Sequence, residues 1–340
     1  NLSKVLIAIG VMIIMVIGVN VLFWRPMTAW AERFRVEESE AAERPRSLVL
    51  DVLRRSEVPH LIGRPLRPVG RWLDRATRPL GLAEHPLGGS PTRERTADAF
   101  FGGVVAAVVV FGAWRAFVYV NATIGLGTFG QALLYGAATF ARVVVLTIAA
   151  TVVWVPVGVW IGMNPKVTRF AQPVVQVLAS FPALFVFPFA VVVFLDLHIS
   201  LDYGAILLMA LGAQWYILFN VIAGASAIPS DLREAMTNFR VLGWLKWRRF
   251  ILPAIFPSYV TGGITAAGGA WNAAIVAEVV SYGNHHLVAY GLGAYIAQAA
   301  SVGDFPKILV GISVMSLYVV AANRLIWRRL YALAETRYAL

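Results

Sequence analysis

The stretch "REAMTNFRVLGWLKWRRFILPAIFPSY", Arg233 to Tyr259, interrupts a chain that otherwise reads as lipid-facing helix. It holds five Lys/Arg, one Glu and two prolines between two long apolar runs. The surrounding sequence of 340 residues is 59% hydrophobic and 14% charged, with a mean hydropathy of +0.71. That is too apolar for a soluble domain of this length. A span needs roughly 20 mostly apolar residues to cross about 30 Å of hydrocarbon. The stretches 5–24, 100–120, 137–163, 171–195, 203–226, 258–282 and 307–327 meet that need. The predicted fold is all-α, a polytopic transmembrane helical bundle.

The net charge of +11 is a matter of topology. Of 29 Lys/Arg, 14 lie between Arg25 and Arg95, and Lys166 and Arg169 follow the third span. Five more sit in the 228–257 loop, and Arg324, Arg328, Arg329 and Arg337 end the chain. If spans alternate in direction, those 25 share one side, which the positive-inside rule makes cytoplasmic. The opposite loops, "NATIGLGTFGQ" and "NHHLVAYGLG", carry no Lys or Arg. The C-terminus is thus expected on the cytoplasmic side of a multi-pass membrane protein, and nucleic acid is not an expected partner. There is no cysteine, and the five histidines have no metal-ligand spacing.

Residues 4–37 align without gaps on 307–340, with 13 of 34 positions identical, including Met12/Met315, Asn20/Asn323, Trp24/Trp327 and Glu32/Glu335. Interfacial preference explains the shared Trp-Arg pair but not the other matches. The expectation is a repeat: 1–24 as the last span of a preceding half, 100–340 as one complete six-span half. Between them, 25–99 has 14 Arg against 11 Asp/Glu, and seven prolines from Pro45 to Pro91 that forbid long helices. It reads as a cytoplasmic Arg/Pro-rich linker whose short amphipathic pieces can lie on the anionic leaflet.

Within the loop, Pro229 breaks the preceding span, and Ser230 or Asp231 is expected to cap a helix. Asp231 and Glu234 have capping-box spacing. Gly243 permits a turn, "WLKWRRF" suits a short interfacial helix, and Pro253 and Pro257 mark re-entry into the bilayer.

The series "REAM…LPAIFP" resembles the conserved cytoplasmic loop of binding-protein-dependent ABC importer permeases. Glu234, Ala235, Leu252 and Pro253 fall at that family's spacing. Met236 replaces its second Ala, Arg240 its Gly and Phe250 an aliphatic residue, with Gly243 placed to supply the missing turn. "FPALFVFPFAVVVF", "NVIAGASAIPSDLREA", "PAIFPSYVTGGITAAGGAWNAAIVAE" and "YGLGAYIAQA" extend the likeness over 100–340, to the nitrate/sulfonate/taurine-type branch. The resemblance implies a six-span permease core plus one extra N-terminal span, with 228–257 as a coupling loop. It also implies two cytoplasmic ATP-binding subunits, a substrate-binding protein outside, and a second permease half, fused upstream or supplied by a homodimer partner. Its implied cargo is a small anion resembling a sulfonate, taurine, nitrate or bicarbonate.

No G-x-x-x-x-G-K-[ST] occurs, and the chain has only four lysines. ATP is therefore expected on separate subunits, with no cofactor or metal and no catalytic residue on this chain. An ion-coupled secondary transporter of small solutes is the competing class. Ionisable residues inside a span are costly. Arg142, in "ATFARVVV", either draws an anion into the translocation path or pairs with Glu278. Glu278, in "AWNAAIVAEVV", is a path residue, an ion-pair partner or an interfacial carboxylate. Trp271 and Asn272 follow the small-residue run "TGGITAAGGA", where close helix packing is expected; Asn272 is either interhelical glue or path lining.

Overall fold

The computed structural model describes residues 2–19, 22, 27, 91–125 and 127–338. Nearly all of the expected linker 25–99, and much of the first repeat unit, lie outside the described residues. The chain divides into two units, 1–115 and 116–340. The first carries α1, Leu2–Val19, and most of α2, Pro91–Thr123.

The second unit holds α3, Gly127–Gly162; α4, Pro165–Ser180; α5, Phe187–Asp196; and α6, Leu201–Ser226. Then come α7, Ser230–Asn238, and α8, Gly243–Lys246, which passes through a π-helical turn, Trp247–Ile251, into α9, Leu252–Ala277. A hairpin follows, β1 Val279–Tyr282 with β2 His285–Val288, and then α10, Leu292–Ser301. The unit ends with α11, Phe305–Ala322, a second π turn, Asn323–Trp327, and α12, Arg328–Arg337. Among the described residues, five helical stretches are long and apolar enough to cross a membrane: 101–123, 127–162, 201–226, 243–277 and 305–337.

Three expectations need correction. The stretch 171–195 is not one helix. Pro182 pushes Phe181 to ψ 126°, out of the helical region, and α4 stops at Ser180. A 3₁₀ turn, Ala183–Phe185, joins it to α5, which opens with Pro188 in its first turn. Next, "WLKWRRF" does not form a separate interfacial helix before re-entry; it runs straight into α9. Proline's ring clashes with the carbonyl four residues back, here Arg249. The π turn, in which Leu252 N–H donates to Trp247 O, widens the backbone at that point. Pro253 and Pro257 therefore lie within the continuous helix. Finally, the span expected to reach Tyr282 ends at Ala277, and the chain turns into the hairpin. Val279 pairs with Val288 and Tyr282 with His285 around Gly283-Asn284, with Gly283 at φ +59°, as a glycine-first two-residue turn requires.

The most extensive pairing in the unit is α6 with α9, followed by α3 with α6. Lipid tails are as apolar as Leu, so helices associate in a bilayer by close packing rather than by hydrophobic gain. Gly262 shows how near the backbones come: a Cβ there would lie 2.8 Å from both Tyr216 O and Asn220 Cβ. Around this seam the core gathers Leu146, Phe187, Val191, Phe194, Leu208, Met209 and Trp271. Nearer the loop, a second cluster gathers Val159, Ile217, Val221, Ile228, Phe250, Ile251 and Ile255.

Candidate functional site

Two constellations stand at opposite ends of α6, separated by roughly 36 Å at 1.5 Å per helical residue. The first is the loop. α7 starts at Ser230 behind Pro229, and no side chain caps it, so the expected cap by Ser230 or Asp231 is not formed. Its C-terminal end closes with Phe239 N–H on Ala235 O, Arg240 N–H on Thr237 O and Val241 N–H on Met236 O. That pattern needs a left-handed residue after the helix. Arg240 takes the position, at φ +51°, and Gly243 makes a further left-handed turn at φ +59°. Gly243 thus adds to the turn at Arg240 and does not replace it.

Glu234, Arg240, Gly243 and Leu252 are exposed, and Ala235 and Pro253 half-buried. Met236 and Phe250, two residues that depart from the resembled pattern, face inward: Phe250 belongs to the cluster around Ile255, and Met236 packs against it. They seat the loop on the bundle. Its tip is the reverse, with Phe239 79% and Trp244 72% exposed beside Leu242 and Leu245. Large apolar side chains presented together with Arg240, Arg248 and Arg249 form a surface suited to a partner or an interface.

At the far end lies a buried charge network. Arg142, from α3, donates through Nη1 to Glu278 Oε1 at 2.8 Å, through Nη2 to Asp202 Oδ1 at 2.7 Å and to Tyr290 O at 3.1 Å, and through Nε to Asp202 O at 2.8 Å. Glu278, at the C-terminus of α9, also accepts from Thr139 Oγ1 at 2.8 Å and Ala294 N–H at 3.1 Å. Thr139 Oγ1 accepts from Leu292 N–H, and Asp202 Oδ1 from Tyr290 N–H. The network joins α3, α6, α9, Tyr290 after β2 and the first turn of α10. Gly293 fits against it where a Cβ would lie 2.3 Å from Ala274 O.

Arg142 and Glu278 therefore pair. Glu278 is 0% exposed, so it is not an interfacial carboxylate in contact with water. Arg142 is 7% exposed, and four of its five N–H groups are committed, which leaves little with which to draw in an anion. Trp271 is also buried, stacked on Phe140 and close to Tyr318. Of the four path candidates only Asn272 is exposed, on a stripe of α9 with Thr261, Thr265, Gly268 and Val276. Sequence reading missed Asp202 and Thr139. The signal for Asp202 was "ISLDYG", where Ser200 caps α6 by accepting from Asp202 N–H. Among the described residues, no group of three or more His, Cys, Asp or Glu is placed to hold a metal.

Membrane-length helices, interrupted by a charged elbow at one end and locked by a buried ion network at the other, define a multi-pass helical membrane protein. Residues 154–338, more than half the chain and including the whole elbow, match the family of binding-protein-dependent transport system inner membrane components, and the chain belongs to it. The nitrate import permease protein NrtB of Leptolyngbya laminosa is 26% identical over 190 residues, covering 56% of this chain and 64% of that protein. The bicarbonate transport system permease protein CmpB of Synechococcus elongatus is 27% identical, over 53% of this chain and 60% of its own length. The taurine transport system permease protein TauC of Escherichia coli is 25% identical, over 53% and 62% respectively. The chain thus spans less than two thirds of these relatives.

Proposed function

We propose that this chain is a permease subunit of an ATP-driven importer that moves a small anionic solute across the inner membrane by alternating access. The observation that carries the reading is the family match through the elbow, combined with the exposed apolar and basic tip of that elbow. In this reading 228–257 is cytoplasmic and docks on ATP-binding subunits, with Glu234 on the contact face. ATP hydrolysis belongs to those subunits. A substrate-binding protein delivers the solute on the other side, near the hairpin.

The path then runs between two permease halves, along the exposed stripe of α9 that carries Asn272. Arg142, Glu278 and Trp271 act behind that surface, holding the helices that form it. The solutes named for the relatives, nitrate, bicarbonate and taurine, share compact size and an anionic oxygen-rich group, which supports a small anion as the substrate class.

The test uses the protein co-purified with its ATP-binding subunits in liposomes, supplied with nitrate, bicarbonate or taurine and the binding protein. Glu234→Lys should abolish ATP-dependent uptake while membrane insertion stays intact. Unchanged ATP-dependent uptake in that variant overturns the coupling role of the elbow, and uptake that follows an ion gradient without ATP overturns the importer reading in favour of an ion-coupled carrier.

A further inference from the structure

We propose that Arg233 is the positioning residue that makes the elbow act on two membrane helices at once; this rests on the importer reading above. The last four carbonyls of any helix lack intrahelical donors, and the helix dipole makes that end negative. α3 and α6 end side by side: Ser226 Oγ donates to Gly162 O at 3.2 Å. Into this double C-terminus α7 sends one guanidinium. Arg233 Nη2 donates to Ala225 O at 3.0 Å and Ser226 O at 3.3 Å, and Nη1 reaches Met163 O at 3.4 Å, just beyond the end of α3. Two helix ends thus share one cation.

The anchor matters because α7 has little else. None of its residues is fully buried, and Met236 is its one residue packed against the neighbouring apolar cluster. Pro229 lies at one end of it and the left-handed Arg240 at the other, so both connections are turns rather than continuous helix. Remove the guanidinium and α7 is free to tilt on those turns while α3 and α6 stay still. Adjacent residues therefore divide the work: Glu234 points out toward the partner, and Arg233 points in and ties the helix to the spans. A lysine keeps the charge but offers a single ammonium in place of a planar fork, so it cannot hold both helix ends in the same way.

The chain contains no cysteine, so a single introduced thiol reports cleanly. Thr265→Cys and Asn272→Cys, made separately on the exposed stripe of α9, are assembled with ATP-binding subunits in nanodiscs, and maleimide labelling is timed with and without ATP. With Arg233 present, ATP should change the labelling rate at one or both sites. Arg233→Ala should reduce that change at least tenfold while the subunits stay bound and still hydrolyse ATP. Arg233→Lys should lose about two- to fivefold, which also guards against a simple folding defect. A full ATP-dependent change in Arg233→Ala overturns the inference and leaves the importer reading standing. No ATP-dependent change even with Arg233 present, together with no binding of the ATP-binding subunits, overturns both.

Discussion

Replacing Arg142 with Met keeps the length of the side chain and removes its charge. Glu278, with no exposed surface, would retain only Thr139 Oγ1 and Ala294 N–H as donors. Asp202 Oδ1 would retain Tyr290 N–H. Removing one partner of a buried pair typically costs about 3–5 kcal/mol, because the other charge is left uncompensated. Glu278→Gln is milder. It leaves a neutral amide and lets Arg142 keep Asp202 and Tyr290 O, so a loss of about 1–3 kcal/mol is expected. The double variant should cost less than the sum of the two, by roughly 2 kcal/mol of coupling. The assay is denaturant unfolding in lipid-detergent micelles, followed by fluorescence of the 11 tryptophans. A loss below about 1 kcal/mol for Arg142→Met, or strict additivity in the double variant, would refute the view that the network is an energetic lock.

Two further predictions concern backbone geometry. Arg240→Gly removes a Cβ from a left-handed position and should stabilise the protein by roughly 1 kcal/mol in the same unfolding assay; a lower midpoint would show that the Arg240 side chain contributes more than its backbone costs. Gly293→Ala forces a methyl to within 2.3 Å of Ala274 O and 2.9 Å of Glu278 Oε2, with an expected loss of about 1–3 kcal/mol. Amides of 289–295 should then exchange faster with deuterium, and unchanged exchange there would show that the segment is not held through Gly293.

Length and hydropathy made the long spans legible, because a bilayer demands about 20 apolar residues whatever they pack against. The elbow was legible for a related reason: charge and proline between two spans have few structural alternatives. What escaped depended on pairing or on local backbone. Val279 to Val288 is as apolar at its ends as the span before it, and only Gly283-Asn284 marks the turn of the hairpin. Pro182 was visible, yet Pro156 lies inside α3 without ending it, so proline alone does not say which helix stops. The partnership of Arg142 with Glu278 could be read as an alternative because both are unusual inside spans. Asp202 sits at a span boundary, where a carboxylate is ordinary. Nothing in its neighbours says that it faces a residue 60 positions earlier.

Both ends of α6 are tied to α3 through an arginine, at the middle of α3 and just past its C-terminus. At one end Arg142, on α3, binds Asp202 at the start of α6; at the other, Arg233 holds Met163 beyond the end of α3 and Ala225 and Ser226 at the end of α6. Between them the α3–α6 contact is closed by residues such as Gly158, where a Cβ would stand 2.8 Å from Val221 Cγ1. Two helices fastened at two points and closely packed between them resist sliding of one past the other. On the importer reading, force applied at the elbow then has two outlets: the pair rotates as a unit, or the fastening at Arg233 gives. Rotation as a unit carries the Arg142 network with it, and with Glu278 the hairpin end of α9. The elbow and the far end of the bundle are therefore linked by stiffness rather than by a relay of side chains. If the elbow docks a partner as proposed, weakening Arg142 should loosen the response at the hairpin while leaving that binding intact.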